Sequence, residues 1–187
     1  MEIMEGSTAS LEESLIKRMI EAGSLKFGEF VLSSGRKSDY YIDIKQASSH
    51  PDILKMIAEM IEIKTKEKSL EYEKIACVEL GGVPLAVSLS LKTGKPYLIF
   101  RKVKKDYGVK SDMIGDLEEG DKILVIEDVT TTGSSAHSVV ERVQEKGGEV
   151  KAVIVVVDRE EGASDFFTSK KIPFIPILTS SKLLKYR

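Results

Sequence analysis

The chain has 187 residues, 42% of them hydrophobic, which is enough for one domain to bury a full core without disulfides or metals. Its 28 basic and 30 acidic side chains leave a formal net charge of -2, so no global field draws it to nucleic acid or to an anionic membrane. A single cysteine, Cys77, excludes an intrachain disulfide; set in the apolar run IACVEL with no electropositive neighbour in sequence, it reads as a buried structural thiol.

The first segment, MEIMEGSTASLEESL, has acids where a signal peptide has bases and lacks an apolar centre, and no apolar run approaches the roughly 18 residues of a membrane span. A cytoplasmic chain is the expectation. Leu11, Leu15, Ile16, Met19 and Ile20 recur at helical spacing, Ser10 and Glu13 have the spacing of a capping box, and Gly23 can stop the helix. The run GEFVLSSGRKSDYYIDI predicts two short strands around a Ser-Ser-Gly turn. Pro51 opens a second helix, to about Ile63, with Ile53, Leu54, Ile57 and Ile61 on its inner face, and the charged KTKEKSLEYEK reads as a solvated connection.

From Lys74 onward the rhythm is KIACVEL, VPLAVSLSLK, PYLIFR, KILVIED, SSAHSVVERVQEK and VKAVIVVVD: short apolar strands alternating with helices. That pattern predicts an α/β fold with a central parallel sheet flanked by helices on both faces. One interval, Lys102 to Asp121, has no apolar period over about 20 residues, longer than a structureless loop usually runs without a function. It opens with RKVKKDYGVK, which carries Arg101, Lys102, Lys104, Lys105 and Lys110. A solvated loop and a lid that closes on an anion both fit.

The run ILVIEDVTTTGSS, Ile123 to Ser135, carries the chemistry. Ile123 to Ile126 form a buried strand, and ligands of open α/β sheets bind beyond such carboxyl ends, where Glu127 and Asp128 stand. Thr130, Thr131, Thr132, Gly133, Ser134 and Ser135 then offer hydroxyls and backbone N–H groups, leading into a helix from Ser135 to Lys146 whose positive end favours an anion. Acids beside an anion cradle make sense for a sugar phosphate: carboxylates accept from two ribose hydroxyls while the loop holds the phosphate. Neither G-x-x-x-x-G-K-[ST] nor G-x-G-x-x-G occurs in the sequence, which argues against a nucleoside triphosphatase or a dinucleotide site.

This thirteen-residue run resembles the phosphoribosyl pyrophosphate (PRPP) motif of type I phosphoribosyltransferases. Through LKFGEFVLSSGRKSDYYID, ELGGVPLA, RKVKKDYG and VVVDREEG, in that order, the chain further resembles the orotate phosphoribosyltransferase family. The resemblance implies a type I phosphoribosyltransferase fold: a hood of about residues 1–45 plus C-terminal residues, a core of about 46–175 and a lid of about 102–121. It implies that Glu127 and Asp128 take the ribose hydroxyls, that Val129 to Ser135 cradle the 5′-phosphate, and that Gly81 and Gly82 approach the pyrophosphate through backbone N–H groups. Arg101, Lys102 and Lys105 would surround the pyrophosphate, with Lys105 the catalytic cation and Tyr107 also in the PRPP-binding lid. Thr131, Arg159, Lys26, Tyr41 and Ile42 would contact orotate; hairpin packing is the competing role for Tyr40 and Tyr41, and a surface ion pair within DREE for Arg159.

Two departures from the family pattern stand out. Tyr107 occupies the lid position where many relatives have histidine, and ELGGVP lacks the lysine that many bacterial relatives carry. His50 and His137, the two histidines, have no metal-ligand spacing and read as helix-start and helix residues. The implied metal is Mg²⁺, recruited largely by PRPP and not by a protein cage. The implied assembly is a homodimer sharing the lid across subunits, with no nucleic-acid or membrane partner. The expected activity is phosphoribosyl transfer from PRPP to N1 of orotate in pyrimidine synthesis. A PRPP-sensing module without catalysis, and an enzyme for another base such as uracil or a purine, are the alternatives.

Overall fold

Between Lys74 and Asp158 the apolar runs are rich in β-branched residues, and strands covered on both faces need no polar alternation. In the computed structural model, which describes residues 2–31, 37–102 and 112–187, the runs form β3 (Lys74–Val78), β4 (Tyr97–Phe100), β6 (Lys122–Thr130) and β7 (Glu149–Asp158). With β5 (Met113–Ile114) and β8 (Phe174–Thr179) they make one six-stranded sheet in the order β5-β4-β3-β6-β7-β8. Five strands are parallel, but β5 runs antiparallel to β4, pairing Ile114 with Ile99 and Met113 with Phe100. The sheet is therefore mixed and not purely parallel: a chain that returns without a crossover helix can pair only antiparallel. The interval from Lys102 to Asp121 thus contains a strand that its polar sequence does not announce.

Side-chain alternation divides the core in two. Ile75, Cys77, Leu124, Ile126, Ala152, Ile154 and Val156 face one side. There they pack with α1 (Glu2–Glu21), α2 (Ile44–Ser48), α3 (Pro51–Glu67) and α4 (Gly82–Thr93). Ala76, Val78, Ile123, Val125 and Val153 face α5 (Ser134–Glu145) and α6 (Ala163–Ser169) on the other side. On α5 the buried positions are Ala136, Val139, Val140 and Val143, the spacing of one helical stripe.

The hood is the hairpin of β1 (Leu25–Val31) and β2 (Lys37–Ile42), backed by α1. Helix α1 starts well before Ser10, so Ser10 is an interior residue whose carbonyl accepts from Ser14 Oγ at 2.8 Å, and the expected capping box is not the helix start. Gly23 does end it, at φ +68°, a conformation that costs glycine nothing. Helix α3 continues past Ile63 to Glu67, and Tyr72 is 6% exposed with the Lys95 ammonium 4.8 Å above its ring, so the segment expected as a solvated connection is partly helical and partly packed. His50 occupies the N-cap of α3 without a side-chain hydrogen bond. His137 lies on α5, edge-on to Phe166 at 4.9 Å.

The C-terminal turn, α7 (Ser180–Leu183), lies against the hood: Lys182 Nζ reaches Glu12 at 2.8 Å and Arg187 reaches Asp39 at 2.9 Å. Among the described residues no helix is long and apolar enough to cross a membrane.

Cys77 is completely buried, and burial, then the charge of Glu127, pushes its thiol up to about 12. The native protein should therefore give no thiol titre with a disulfide reagent at pH 8, and one thiol per chain in denaturant. Prompt modification of the folded chain would show that β3 opens locally.

Candidate active site

After β3 the chain crosses to β4 on one side, whereas after β6 it crosses to β7 on the other. Neighbouring strands whose connections diverge leave a crevice at their carboxyl ends, the switch point where α/β sheets bind ligands. The β3–β6 ladder ends at the pair Cys77–Ile126, but β6 continues to Thr130 alongside β7. Glu127 and Asp128 are therefore inside the strand and not just beyond it, with one edge paired and the other open to the crevice.

That crevice is a cleft of about 410 Å³ lined by Lys45, Glu79, Leu80, Gly81, Lys102, Glu127, Asp128, Val129 and Ser135. Two helices begin beside it, α4 at Gly82 and α5 at Ser134, so their N-terminal backbone dipoles favour an anion. Glycine is required at the first of these turns: a Cβ on Gly81 would lie 1.9 Å from Asp128 Oδ2, and one on Gly82 would lie 2.7 Å from Cys77 Cβ. Gly133, at φ +86°, turns the cradle into α5, where a Cβ would meet Phe167 at 2.8 Å.

Thr130 is buried at the end of β6, Thr131 is half-buried, and Thr132, Ser134 and Ser135 are exposed; Thr132 Oγ1 donates to Ser134 Oγ at 3.4 Å. The cradle thus turns several hydroxyls to solvent.

Glu127 is 5% exposed, and its Oε2 is buried without a hydrogen-bond partner. Burial first, then the hydrogen bond and charge of Asp128, push its carboxyl up to about 8, against the opposing pull of Ser135 and Lys102. Lys102 faces the cleft, and its backbone N–H donates to Glu79 Oε1 at 2.9 Å.

The flanks of the basic segment are fixed to α5. Arg142 donates from Nη1 to the Arg101 carbonyl at 2.8 Å and from Nη2 to the Asp112 carbonyl at 2.6 Å, and it pairs with the Asp112 carboxylate at 2.8 Å. Arg101 N–H also donates to the Asp112 carbonyl at 2.9 Å. Burial alone would raise the Asp112 carboxyl, but hydrogen bonds and charge from Arg142 and Lys146 hold it below the usual range. Arg101 Nε is buried without a hydrogen-bond partner. Lys105 and Tyr107 lie outside the described residues.

A second group of expected residues gathers behind the cradle. Arg159 follows β7, its N–H donating to the Thr130 carbonyl at 2.9 Å. Its guanidinium, 10% exposed, lies 4.6 Å over the Tyr40 ring, donates to Ser38 Oγ at 3.2 Å and pairs with Glu161 at 3.2 Å. The ion pair within DREE therefore exists, but on a half-buried arginine joined to the hood. Lys26 and Tyr41 are exposed cross-strand partners on one face of the hairpin. Ile42 points the other way, 9% exposed and packed in the core, so it can reach a ligand only through its backbone.

Lys45, Glu79 and Leu80 line the cleft without having been singled out. For Lys45 a signal existed: Asp43 and Gln46 have cap spacing, and Asp43 Oδ1 does accept from the Gln46 N–H at 3.0 Å to start α2.

Known proteins agree with this geometry. The phosphoribosyl transferase domain family matches residues 43–173. The orotate phosphoribosyltransferase of Archaeoglobus fulgidus is 59% identical over 87% of this chain and 90% of its own. The crystal structure of the Aeropyrum pernix orotate phosphoribosyltransferase superposes with a TM-score of 0.82 at 29% identity, over 92% of this chain and 97% of that one. The Mycobacterium tuberculosis enzyme, crystallised with PRPP, superposes at 0.74 with 30% identity, over 94% of this chain and 98% of that one. This chain belongs to the orotate phosphoribosyltransferase family. Its fold is the type I phosphoribosyltransferase fold, and the family is one of pentosyltransferases.

In the ligand-free site, burial and Asp128 favour a proton on Glu127. Because Glu127 titrates higher folded than at its ordinary 4.5, the unfolded chain ionises first as pH rises, and the fold loses stability between about 4.5 and about 8 relative to a chain with a neutral group. Glu127→Gln should therefore melt with the wild type near pH 4.5 and progressively above it toward pH 8, with no further gain beyond. Thermal midpoints of the ligand-free proteins measure this. A gain independent of pH would mean that Glu127 is ionised throughout.

Proposed function

We propose that this chain transfers a phosphoribosyl group from PRPP to N1 of orotate, giving orotidine 5′-monophosphate and pyrophosphate in pyrimidine synthesis. The observation that carries the reading is the pair Glu127 and Asp128, open to a cleft on one edge and followed directly by a hydroxyl-rich turn at the N-terminus of α5. A ribose 5-phosphate matches that arrangement group by group: the carboxylates accept from the 2′- and 3′-hydroxyls while Val129 to Ser135 hold the phosphate. The cytoplasm is the setting we assign.

In the reaction the bond from ribose C1 to the pyrophosphate oxygen breaks as orotate N1 bonds to C1, and positive charge develops on the ribose. The protein's work is alignment, exclusion of water and stabilisation of the departing anion. Arg101, Lys102 and Lys105 supply positive charge near the leaving group, with Lys105 the catalytic cation and Tyr107 beside it. Gly81 and Gly82 let the chain approach that group through backbone N–H donors.

Among the described residues no three His, Cys, Asp or Glu side chains form a metal cage. The carboxylates lining the cleft are nonetheless oxygen donors of the class that Mg²⁺ prefers, so the metal fits here when phosphates complete its shell. When bound, Mg²⁺ neutralises charge on the pyrophosphate.

Arg159, Thr131, Lys26, Tyr41 and the Ile42 backbone form the orotate side. Arg159 is held by Tyr40, Ser38 and Glu161 in a nearly buried position, where paired donors can meet the base's oxygens. A site built for the orotate carboxylate leaves buried donors unpaired when uracil binds, so orotate should be preferred by roughly 10⁴ in kcat/KM. Comparable values in a PRPP- and Mg²⁺-containing assay would refute the base assignment; so would an Arg159→Ala variant that lost PRPP and orotate affinity equally.

We further assign a two-fold homodimer in which the lid carrying Lys105 in one subunit reaches the site of the other, while Lys102 stays at its own subunit's cleft. Lys105→Ala and Thr131→Ala each disable one part, so a mixed dimer has one site with both defects and one with neither. Random reassortment makes about half the dimers mixed, and the inactive parents together should regain about one quarter of wild-type activity. Mixed dimers confirmed by mass but inactive would place the lid at its own subunit's site.

A further inference from the structure

We infer that Lys45, on the short helix α2, is a pyrophosphate-binding residue of this site. The inference rests on the PRPP reading above and adds to it a cation outside both the PRPP motif and the basic segment.

Lys45 is fixed at its base and free at its tip. Ile44, Ala47 and Ser48 of α2 are buried, and Asp43 caps the helix start, so the backbone that carries Lys45 is anchored in the core. Its side chain is 57% exposed and reaches the cleft wall, where Nζ lies 3.6 Å from Asp128 Oδ2. That separation exceeds a hydrogen bond, so the pair is a loose Coulombic contact that leaves the ammonium donors available.

The charges on the wall show what the ammonium can serve. Among the described residues of the wall, Glu79, Glu127 and Asp128 are acidic, and Lys45 and Lys102 are basic. Two ammonium groups against three carboxyl groups leave few cations for a pyrophosphate, so each one that faces the cleft counts. The Gly81–Gly82 turn, which we assign to the pyrophosphate, has no cation of its own in ELGGVP. Asp128 Oδ2 is packed so closely on Gly81 that a Cβ there would overlap it, and Lys45 approaches the same oxygen. The ammonium therefore stands on the side of the cleft where that turn lies.

When ribose hydroxyls donate to Asp128 they satisfy the carboxylate that Lys45 now faces, and the Lys45 ammonium turns to the pyrophosphate oxygens. Ribose binding and pyrophosphate binding are then served by the same exchange of partners.

The probes are inorganic pyrophosphate and ribose 5-phosphate, each with Mg²⁺, titrated into the full-length protein alongside PRPP. Lys45→Ala should weaken pyrophosphate and PRPP by the same factor, about tenfold. Ribose 5-phosphate affinity should stay within about twofold, and Lys45→Arg should restore most of the loss. Since Lys45 is solvent-exposed, the thermal midpoint of Lys45→Ala should match the wild type, which separates a lost contact from a damaged fold. Unchanged pyrophosphate affinity would overturn the inference. So would a loss of ribose 5-phosphate affinity as large as that of pyrophosphate, because Lys45 would then act only by holding Asp128. A wild type that binds pyrophosphate but not PRPP would refute the PRPP reading instead.

Discussion

The arrangement of the site follows from where one ladder of hydrogen bonds stops. β3 leaves β6 after the pair Cys77–Ile126, while β7 accompanies β6 to Thr130. Held on one edge only, the last residues of β6 combine the rigidity of a strand with the accessibility of a loop. Two adjacent carboxylates can be kept nearly buried there without losing contact with a ligand. The same divergence makes room for the Gly81–Gly82 turn, whose lack of side chains is imposed by Asp128 and Cys77.

Burying two acids together has an electrostatic consequence for the ligand-free protein. Coulomb repulsion grows as water is removed, and a proton on Glu127 relieves it. Strain of this kind is tolerable because a ligand bearing hydroxyl donors supplies what water cannot. Glu127 Oε2, buried without a partner, is the atom at which that gain is largest. Two helix N-termini beside two acids are thus compatible if, as proposed, each serves a different end of one ligand.

The strands, their α/β alternation and the PRPP motif were legible because each rests on contiguous sequence. Runs such as KILVIEDVT and VKAVIVVVD are too apolar to be anything but buried, and the Thr-Thr-Gly-Ser turn has its own local chemistry. What escaped was short or long-range. The five residues of α2 are too few to show a helical period, and the two of β5 are defined only by the neighbour they pair with. Helix α1 extends through residues with no apolar stripe, so its start could not be read from periodicity. Lys45 and Glu79 are single charges whose significance lies in the cleft that tertiary structure builds around them. Ile42 is a different case: strict alternation from Tyr41 already placed it on the inward face, and the family match outweighed that local geometry.

The attachment of the basic segment bears on how such a site can combine precision with turnover. Arg142 donates its hydrogen bonds to the Arg101 carbonyl and to Asp112, which flank the segment, yet it belongs to α5, whose first turn follows the hydroxyl-rich turn beside the cleft. Its guanidinium also lies 4.7 Å over the Phe100 ring, so a cation–π contact and forked donors act together. One helix therefore carries the hydroxyl-rich turn at one end and the root of the cationic segment on its flank. Whatever residues 103–111 do, Arg101 and Lys102 are held in register with the cradle. On the proposed reading, positioning of Arg101 and Lys102 as leaving-group cations is set by packing in the core, and the cost of ordering them is met during folding and not at each encounter with substrate.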